Sequence, residues 1–221
     1  MTIGFAIGNG NSRKGIELER LAKVGKIYGC NAIYRDYTPE VLVAVDGPIA
    51  TAIENSGYAQ EHRFYTRRPT QGGLPVPTKY YGYSSGPISI AIAAEECEIV
   101  FLVGHDFGTK NAPSSVPTRE EIKARQKNKN RSNHHVLKFN NIYADTEFYK
   151  RSTESATFGG NWIKQTRQVC VDHPKVQFYR VENAHSAKVE FPGVSNIELI
   201  DFQTFFKVLN TLRGKMGNGI I

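Results

Sequence analysis

The chain has 221 residues, of which 40% are hydrophobic and 22% charged, and this is enough for one domain with a substantial buried core over residues 1–221. The net charge of +7 suits an anionic ligand. No apolar run reaches the roughly 18 to 20 residues of a membrane span, and no basic-then-apolar leader opens the chain, so we expect a cytoplasmic protein. Three widely spaced cysteines favour neither a disulfide framework nor a zinc site.

The first third of the chain alternates between strand and helix patterns. Residues 2–8 form a short apolar run closed by glycine and predict a strand, and residues 15–24 carry apolar side chains at helical spacing. Residues 26–34 predict a second strand. Residues 39–46 predict a third, nearly all apolar as in a strand buried on both faces, and it ends at Asp46.

The middle of the chain continues this alternation. Residues 47–57 predict a helix with Pro48 in its first turn, and residues 62–66 predict a fourth strand. Residues 84–97 begin with two serines that can cap a helix, and residues 98–108 predict a buried strand that ends near His105 and Asp106.

Residues 109–140 differ from the rest because they lack apolar periodicity and become strongly basic between 119 and 138. We expect a basic insertion or lid within the domain. It is either a solvated charged loop or an arm that contacts the phosphates of a nucleic acid or ligand, and it also carries His134 and His135.

The last third predicts a helix at 161–173, a strand at 176–181 and an amphipathic helix at 201–212. The whole pattern predicts an α/β, Rossmann-like fold with a mostly parallel, doubly wound sheet. Ligands bind such sheets outside the carboxyl ends of the strands. We therefore expect one shared edge to carry these polar segments: Gly8 to Ser12, Asn31, Asp46, and His105 with Asp106.

The loop "GNGNSR" at positions 8–13 leaves two interpretations open. It is not a P-loop, and Arg13 replaces the third glycine of the dinucleotide-binding fingerprint. Gly8 and Gly10 could serve only a tight turn. Alternatively, the loop amides with Asn9, Asn11 and Ser12 could form a cradle for an anion and a ribose.

Three motifs in the first half of the chain resemble a known family. "IGNGNS" at 7–12, "YGCNAIY" at 28–34 and "SSGPISIAIAAEECEIVFLVGHDF" at 84–107 are similar to the bacterial lipooligosaccharide sialyltransferases of glycosyltransferase family 42. The wider superfamily includes motility-accessory glycosyltransferases and 6-hydroxymethylpterin diphosphokinase-like proteins. The similarity covers positions 3 to 107, "IYADT" at 142–146 resembles a further piece, and the resemblance implies a sialyltransferase-like variant of the GT-A fold.

The resemblance implies roles for individual residues. Asn9 and Ser12 would contact the donor nucleotide, Asn31 its sugar or phosphate, and Ser85 and Gly86 its base or phosphate. The same nucleotide site would take in Gly8, Gly10 and Asp46 from the sheet edge.

Catalytic roles are less directly implied. The resemblance makes Tyr143 and Tyr149 possible counterparts of the tyrosines that hold the donor phosphate. The stretch at 147–155 lacks the family's general-base histidine, so His105, His134 or His135 could substitute only with a different geometry. His105, Asp106 and Tyr149 are therefore the candidate catalytic residues.

We expect a nucleotide-sugar-dependent glycosyltransferase-like protein with a CMP-sugar donor, an unknown acceptor and no required metal, since no D-x-D pair lies at a strand end. One alternative is a diphosphokinase that binds ATP and magnesium through Asp46 and Asp106. Another is a phage-type, nucleic-acid-directed or non-catalytic protein on the same fold.

Overall fold

The computed structural model describes residues 1–108, 138–154 and 159–217. Eight strands of the described residues form a single sheet. The strands are β1 (Ile3–Ile7), β2 (Lys26–Cys30), β3 (Val41–Val43), β4 (Phe64–Thr66), β5 (Leu74–Pro75), β6 (Ile99–Val103), β7 (Gln177–Glu182) and β8 (Ile197–Asp201).

The sheet has the spatial order β5-β4-β3-β2-β1-β6-β7-β8, and each neighbouring pair is parallel. The chain builds outward from β1 to β5, then returns to place β6 on the other side of β1 and continues to β8. Because the direction of winding reverses between β1 and β6, this pair marks the topological switch point of the sheet.

Six helices accompany the strands among the described residues. They are α1 (Leu18–Ala22), α2 (Gly47–Asn55), α3 (Tyr58–Glu61), α4 (Ser85–Glu96), α5 (Gly160–Asp172) and α6 (Phe202–Gly217). Pro48 and Pro87 occupy the first turns of α2 and α4, where a residue without an N–H costs the helix no hydrogen bond.

The helices cover both faces of the sheet. On one face, Phe5 and Phe101 stack with their ring centroids 5.4 Å apart, and Phe205 of α6 packs edge-on against both rings. This core also contains the buried side chains of α1, α2 and α3, whereas α4 and α5 pack with Phe178 on the opposite face. The α/β, Rossmann-like, doubly wound fold is therefore confirmed, and its sheet is parallel throughout.

Several predicted boundaries are wrong. The second strand ends at Cys30, and residues Asn31–Arg35 form a short 3-10 helix that begins with Asn31 at φ 52°. The helix predicted at 15–24 is only Leu18–Ala22, because Gly15 has φ 81° and Glu17 is still extended. Of the insertion predicted at 109–140, only 138–140 fall within the described residues, so its lid character and most of its basic segment lie outside them.

Candidate functional site

The loops that follow β1 and β6 interlock at the switch point. Gly8 donates its N–H to the carbonyl of Val103 at 2.8 Å, and Gly10 donates to the carbonyl of Gly104 at 2.9 Å. A Cβ on Gly8 would collide with the Gly104 carbonyl, and one on Gly10 would collide with the Asp106 carboxylate. Close approach of the two backbones therefore explains both glycines of "GNG", whatever else the loop binds.

Asp106 fastens this junction. The side chain is 4% exposed, and Oδ2 accepts hydrogen bonds from the Ser12 N–H at 3.0 Å and from Asn140 Nδ2 at 3.2 Å. Oδ1 accepts one from the hydroxyl of Ser186 at 3.0 Å. With both carboxylate oxygens engaged, Asp106 joins three segments that are distant in sequence.

A cleft opens above this junction, and we call it the switch-point cleft. Its cavity volume is about 180 Å³, below the roughly 300 to 1,000 Å³ of most small-molecule sites. Its lining comes from residues 8–10, 30–31, Asp46, 84–87, 104–108, 139–141 and Trp162. The predicted convergence of Gly8, Asn31, Asp46 and His105 at one sheet edge is thereby confirmed.

Three polar atoms in the cleft wall have no hydrogen-bond partner among the described residues. They are Asn9 Oδ1, Asn31 Oδ1 and His105 Nε2, and each is shielded from solvent. The Asn9 amide nitrogen is satisfied, because it donates to the Cys30 carbonyl at 3.0 Å. Buried polar atoms normally have partners, so each unpaired atom needs an explanation, and a ligand hydrogen bond is one.

His105 is neutral in this environment. Burial, reinforced by the positive charge of Arg180, lowers its pKa to about 3, while a hydrogen bond to the Ala6 backbone acts in the opposite direction. A base this weak is a poor proton acceptor at neutral pH, although its ring can still exchange hydrogen bonds with a ligand. The catalytic role predicted for His105 stays a prediction, and its low pKa argues against a role as general base.

The amino-terminal turn of α4 forms one wall of the cleft. Ser84 donates its N–H to Gln165 of α5 at 2.9 Å, and the Ser85 hydroxyl accepts from the Val45 N–H at 3.1 Å. Helix hydrogen bonding leaves the first amides of any helix without intrahelical acceptors. Ser85 and Gly86 thus bring such N–H groups, and the positive end of the helix dipole, to the cleft.

The two candidate tyrosines lie in different settings. The Tyr143 hydroxyl donates to Asp36 at 2.6 Å and accepts from Arg13 at 3.0 Å, and Tyr143 is not part of the cleft lining. The hydroxyl of Tyr149 accepts from the Ala32 N–H at 3.2 Å and from Asn9 Nδ2 at 3.4 Å. Burial raises the pKa of Tyr149, so its phenol keeps its proton.

Three of the predicted site residues lie outside the cleft lining. The side chain of Tyr143 forms a partly buried polar cluster with Arg13 and Asp36, and Tyr149 lines an adjoining cavity. Ser12 is 2% exposed and lies outside the lining, and its N–H serves Asp106. The remaining predicted binding residues, Gly8, Asn9, Gly10, Asn31, Asp46, Ser85 and Gly86, line the cleft together with His105 and Asp106.

Sequence reasoning missed three residues of this region. Asn140 donates to the carbonyls of Gly108 and His185, and it also bonds Asp106, so it ties the far rim of the cleft together. Arg180 is fully buried on β7 and donates to the carbonyls of His105 and Ala187. A charge inside the apolar run "VQFYRV" was a usable signal for Arg180, whereas the position of Trp162 in the cleft had none.

The metal site of the diphosphokinase alternative needs Asp46 and Asp106 together. The oxygens of Asp106 already accept three hydrogen bonds from protein donors, which leaves Asp46 as the less engaged carboxylate. Across residues 1–108, 138–154 and 159–217, no group of three or more histidine, cysteine or acidic side chains is arranged to hold a metal ion. His134 and His135 lie outside the described residues.

No described helix combines the length and hydrophobicity needed to cross a bilayer. No protein-family model matches the chain, and neither a curated protein nor a solved structure matches it.

Proposed function

We propose that this protein is a glycosyltransferase-like protein that binds a CMP-type nucleotide sugar in the switch-point cleft and needs no metal ion. The observation that carries the proposal is the set of shielded, unpartnered atoms in the cleft wall, Asn9 Oδ1, Asn31 Oδ1 and His105 Nε2. The hydroxyls of a ribose and the amino group of a cytosine are donors that could pair with such acceptors.

The cleft also offers groups for the phosphate of the donor. Amides of Ser85 and Gly86 at the start of α4 suit an anion. Tyr149 lies outside the cleft lining, in the adjoining cavity that shares Asn31 and Asp46, and its hydroxyl retains a proton to donate. Neutral donors of this kind stabilise negative charge as it develops on a leaving phosphate, which is the work that a metal ion does in other transferases.

The aromatic end of the cleft suits the base. Phe107, Phe139 and Trp162 belong to its lining, and aromatic side chains stack on pyrimidine rings.

The test is a nucleotide titration that uses the tryptophan of the protein. Trp162 is the one tryptophan of the chain and lies in the cleft, so its fluorescence reports on ligands bound there. We expect CMP to quench this fluorescence and raise the melting temperature without Mg²⁺, more strongly than UDP, ADP or ATP. Binding of ATP alone, and only with Mg²⁺, would instead favour the diphosphokinase.

Asn31→Gly is the sharpest variant for this titration. Asn31 has φ 52°, a left-handed conformation that glycine adopts freely and alanine does not, so glycine removes the amide without adding backbone strain. Losing a ligand hydrogen bond costs about 1 to 3 kcal/mol, about ten- to a hundredfold in CMP affinity.

Asn210→Ala, which removes an exposed amide from α6, is the matched control and should bind CMP as the wild type does. A lower ligand-free melting temperature with unchanged CMP affinity in Asn31→Gly would show that Asn31 is structural and that the binding site is misassigned.

A further inference from the structure

A second cavity adjoins the switch-point cleft. Its volume is about 270 Å³, and its lining is Asn31, Asp46, Pro48, Ile49, Phe148 and Tyr149. Asn31 and Asp46 belong to both linings, so the two cavities adjoin at these residues. A reaction between two bound molecules, one in each cavity, would take place beside them.

Asp46 is free to act at this boundary. It occupies the N-cap position of α2, but its side chain makes no capping hydrogen bond, and Pro48 has no N–H to offer it. Nor does its carboxylate form an ion pair or another hydrogen bond with any residue that the structure describes. Asp46 is exposed, and it belongs to the linings of both cavities.

The far wall of the second cavity is an exposed aromatic ring held in an unusual backbone conformation. Phe148 is 42% exposed and has φ 69°, which is costly for a bulky residue. Arg35 supports this turn, because its guanidinium lies 5.9 Å from the ring centroid and donates to the Thr146 hydroxyl at 3.1 Å. Phe148 therefore gives the second cavity an exposed aromatic surface, of the kind on which the carbon face of a sugar ring packs.

We propose that the second cavity binds the acceptor, a hydroxyl-bearing sugar, and that Asp46 is the general base that activates the hydroxyl. This inference rests on the proposed function. The acceptor oxygen gives its proton to the Asp46 carboxylate and forms a bond to the anomeric carbon of the donor sugar. The bond between that carbon and the phosphate oxygen breaks, its electron pair leaves with CMP, and Asp46 later releases the proton to water.

The surroundings favour Asp46 over Asp106, His105 and Tyr149, ionisable groups of the two cavities, for this role. Asp106 accepts three hydrogen bonds from protein donors. Burial lowers the pKa of His105 to about 3, and the phenol of Tyr149 is protonated because burial raises its pKa. Asp46 alone among these four combines a carboxylate, solvent access and a position on both cavities.

The experiment uses CMP-N-acetylneuraminate as donor and methyl β-D-galactopyranoside as acceptor probe, and it measures CMP release with and without the acceptor. We expect Asp46→Asn to slow CMP release by about a hundredfold or more, the usual contribution of a general base. CMP affinity, read from Trp162 fluorescence, should change by less than about threefold because the donor site is intact. Asp172→Asn is the matched control. Asp172 is exposed at the last residue of α5, whereas the cleft contacts this helix near its start, at Trp162.

Azide provides the readout that a structural role would not produce. Azide attacks the anomeric carbon without needing a base, so it should restore CMP release in Asp46→Ala and yield a glycosyl azide. It should not accelerate the wild type comparably. Phe148→Ala should lose the stimulation by the galactoside, and Phe206→Ala, which removes an exposed ring from α6, should keep it.

The outcomes separate this inference from the proposed function. CMP release at the wild-type rate in Asp46→Asn overturns the role of Asp46 and leaves the transferase standing. A wild type that binds CMP but releases none from the donor overturns both the acceptor site and the transferase, and leaves the nucleotide site. A wild type that does not bind CMP overturns the proposed function itself and the inference with it.

Discussion

The loops after β6 and β3 each carry an aspartate at the same edge of the sheet, and the two side chains have opposite surroundings. Asp106, after β6, is buried, and its oxygens accept hydrogen bonds from Ser12, Asn140 and Ser186. Asp46, after β3, is exposed and has no such partner among the described residues. Position at a strand end therefore does not decide what a carboxylate does, whereas its hydrogen-bond partners do.

The difference extends to the glycines beside each aspartate. Gly10 lies against the Asp106 carboxylate so closely that a Cβ has no room, whereas a Cβ on Gly47, next to Asp46, would meet nothing within 4 Å. The loop after β6 is thus a packed junction that holds the cleft in shape, and the loop after β3 presents a side chain to it. Stability and ligand chemistry should accordingly respond to different substitutions.

Asp106→Ala should have the largest effect on stability. The substitution leaves the Ser12 N–H, the Ser186 hydroxyl and one Asn140 bond without their acceptor in a buried junction. Such losses cost roughly 1 to 3 kcal/mol each and are not additive, so we expect the free energy of unfolding to fall by about 3 to 5 kcal/mol. Urea unfolding curves measure it, and a loss below about 1 kcal/mol would contradict the anchoring role.

Gly10→Ala tests the packing of the same junction. Its Cβ would collide with the Gly104 carbonyl and the Asp106 carboxylate, which cannot both move without breaking hydrogen bonds. We expect a loss near about 3 kcal/mol, the upper part of the range for overpacked sites. Gly47→Ala is the matched control in the first turn of α2 and should be neutral or slightly stabilising. Equal losses in the two variants would remove the distinction between the loops.

Much of the fold could be predicted from the sequence. The strands that were missed and the boundaries that were wrong have local causes. β5 has two residues, one of them Pro75, and β8 is a partly exposed edge strand, so neither offers a continuous apolar run. The sequence predicts a second strand that is too long, because Ala32 and Ile33 continue its apolar pattern although the chain has already turned at Asn31. Backbone conformation at a single polar residue decided that boundary.

The site could be placed from the sequence but its hydrogen bonds could not. Parallel topology alone brings the strand ends together, so the shared edge follows from the alternation of elements. The partners that engage Asp106 and Tyr143 are far along the chain, since Ser186 lies 80 residues from Asp106 and Asp36 lies 107 residues from Tyr143. Neither pairing leaves a pattern in a single sequence.

Acid should destabilise the junction through His105. Its pKa is about 3 in the folded protein and about 6.5 in an unfolded chain, so the unfolded state binds the proton first. The stability that is present above about pH 6.5 is therefore lost as the pH falls, by about 2 kcal/mol between pH 7 and pH 5.

Urea unfolding at the two pH values measures this slope, and His105→Asn should flatten it. Glu54 and Glu96 do not interfere, because hydrogen bonds to each lower its pKa and move its titration below this window. An unchanged slope in His105→Asn would mean that the proton is taken up elsewhere.

Asp46→Ala should have the smallest effect on stability. Its carboxylate caps no N–H of α2 and pairs with none of the described cations, so the fold loses only the interaction of an exposed charge with the helix dipole. We expect a change below about 0.5 kcal/mol, which shifts the melting temperature by no more than about 2 °C in a chain of this length. Thermal melts of Asp46→Ala beside the wild type measure it. A loss above about 1 kcal/mol would mean that the carboxylate has a structural partner after all, in which case the contrast with Asp106 fails and Asp46 is no longer free to take a proton from an acceptor.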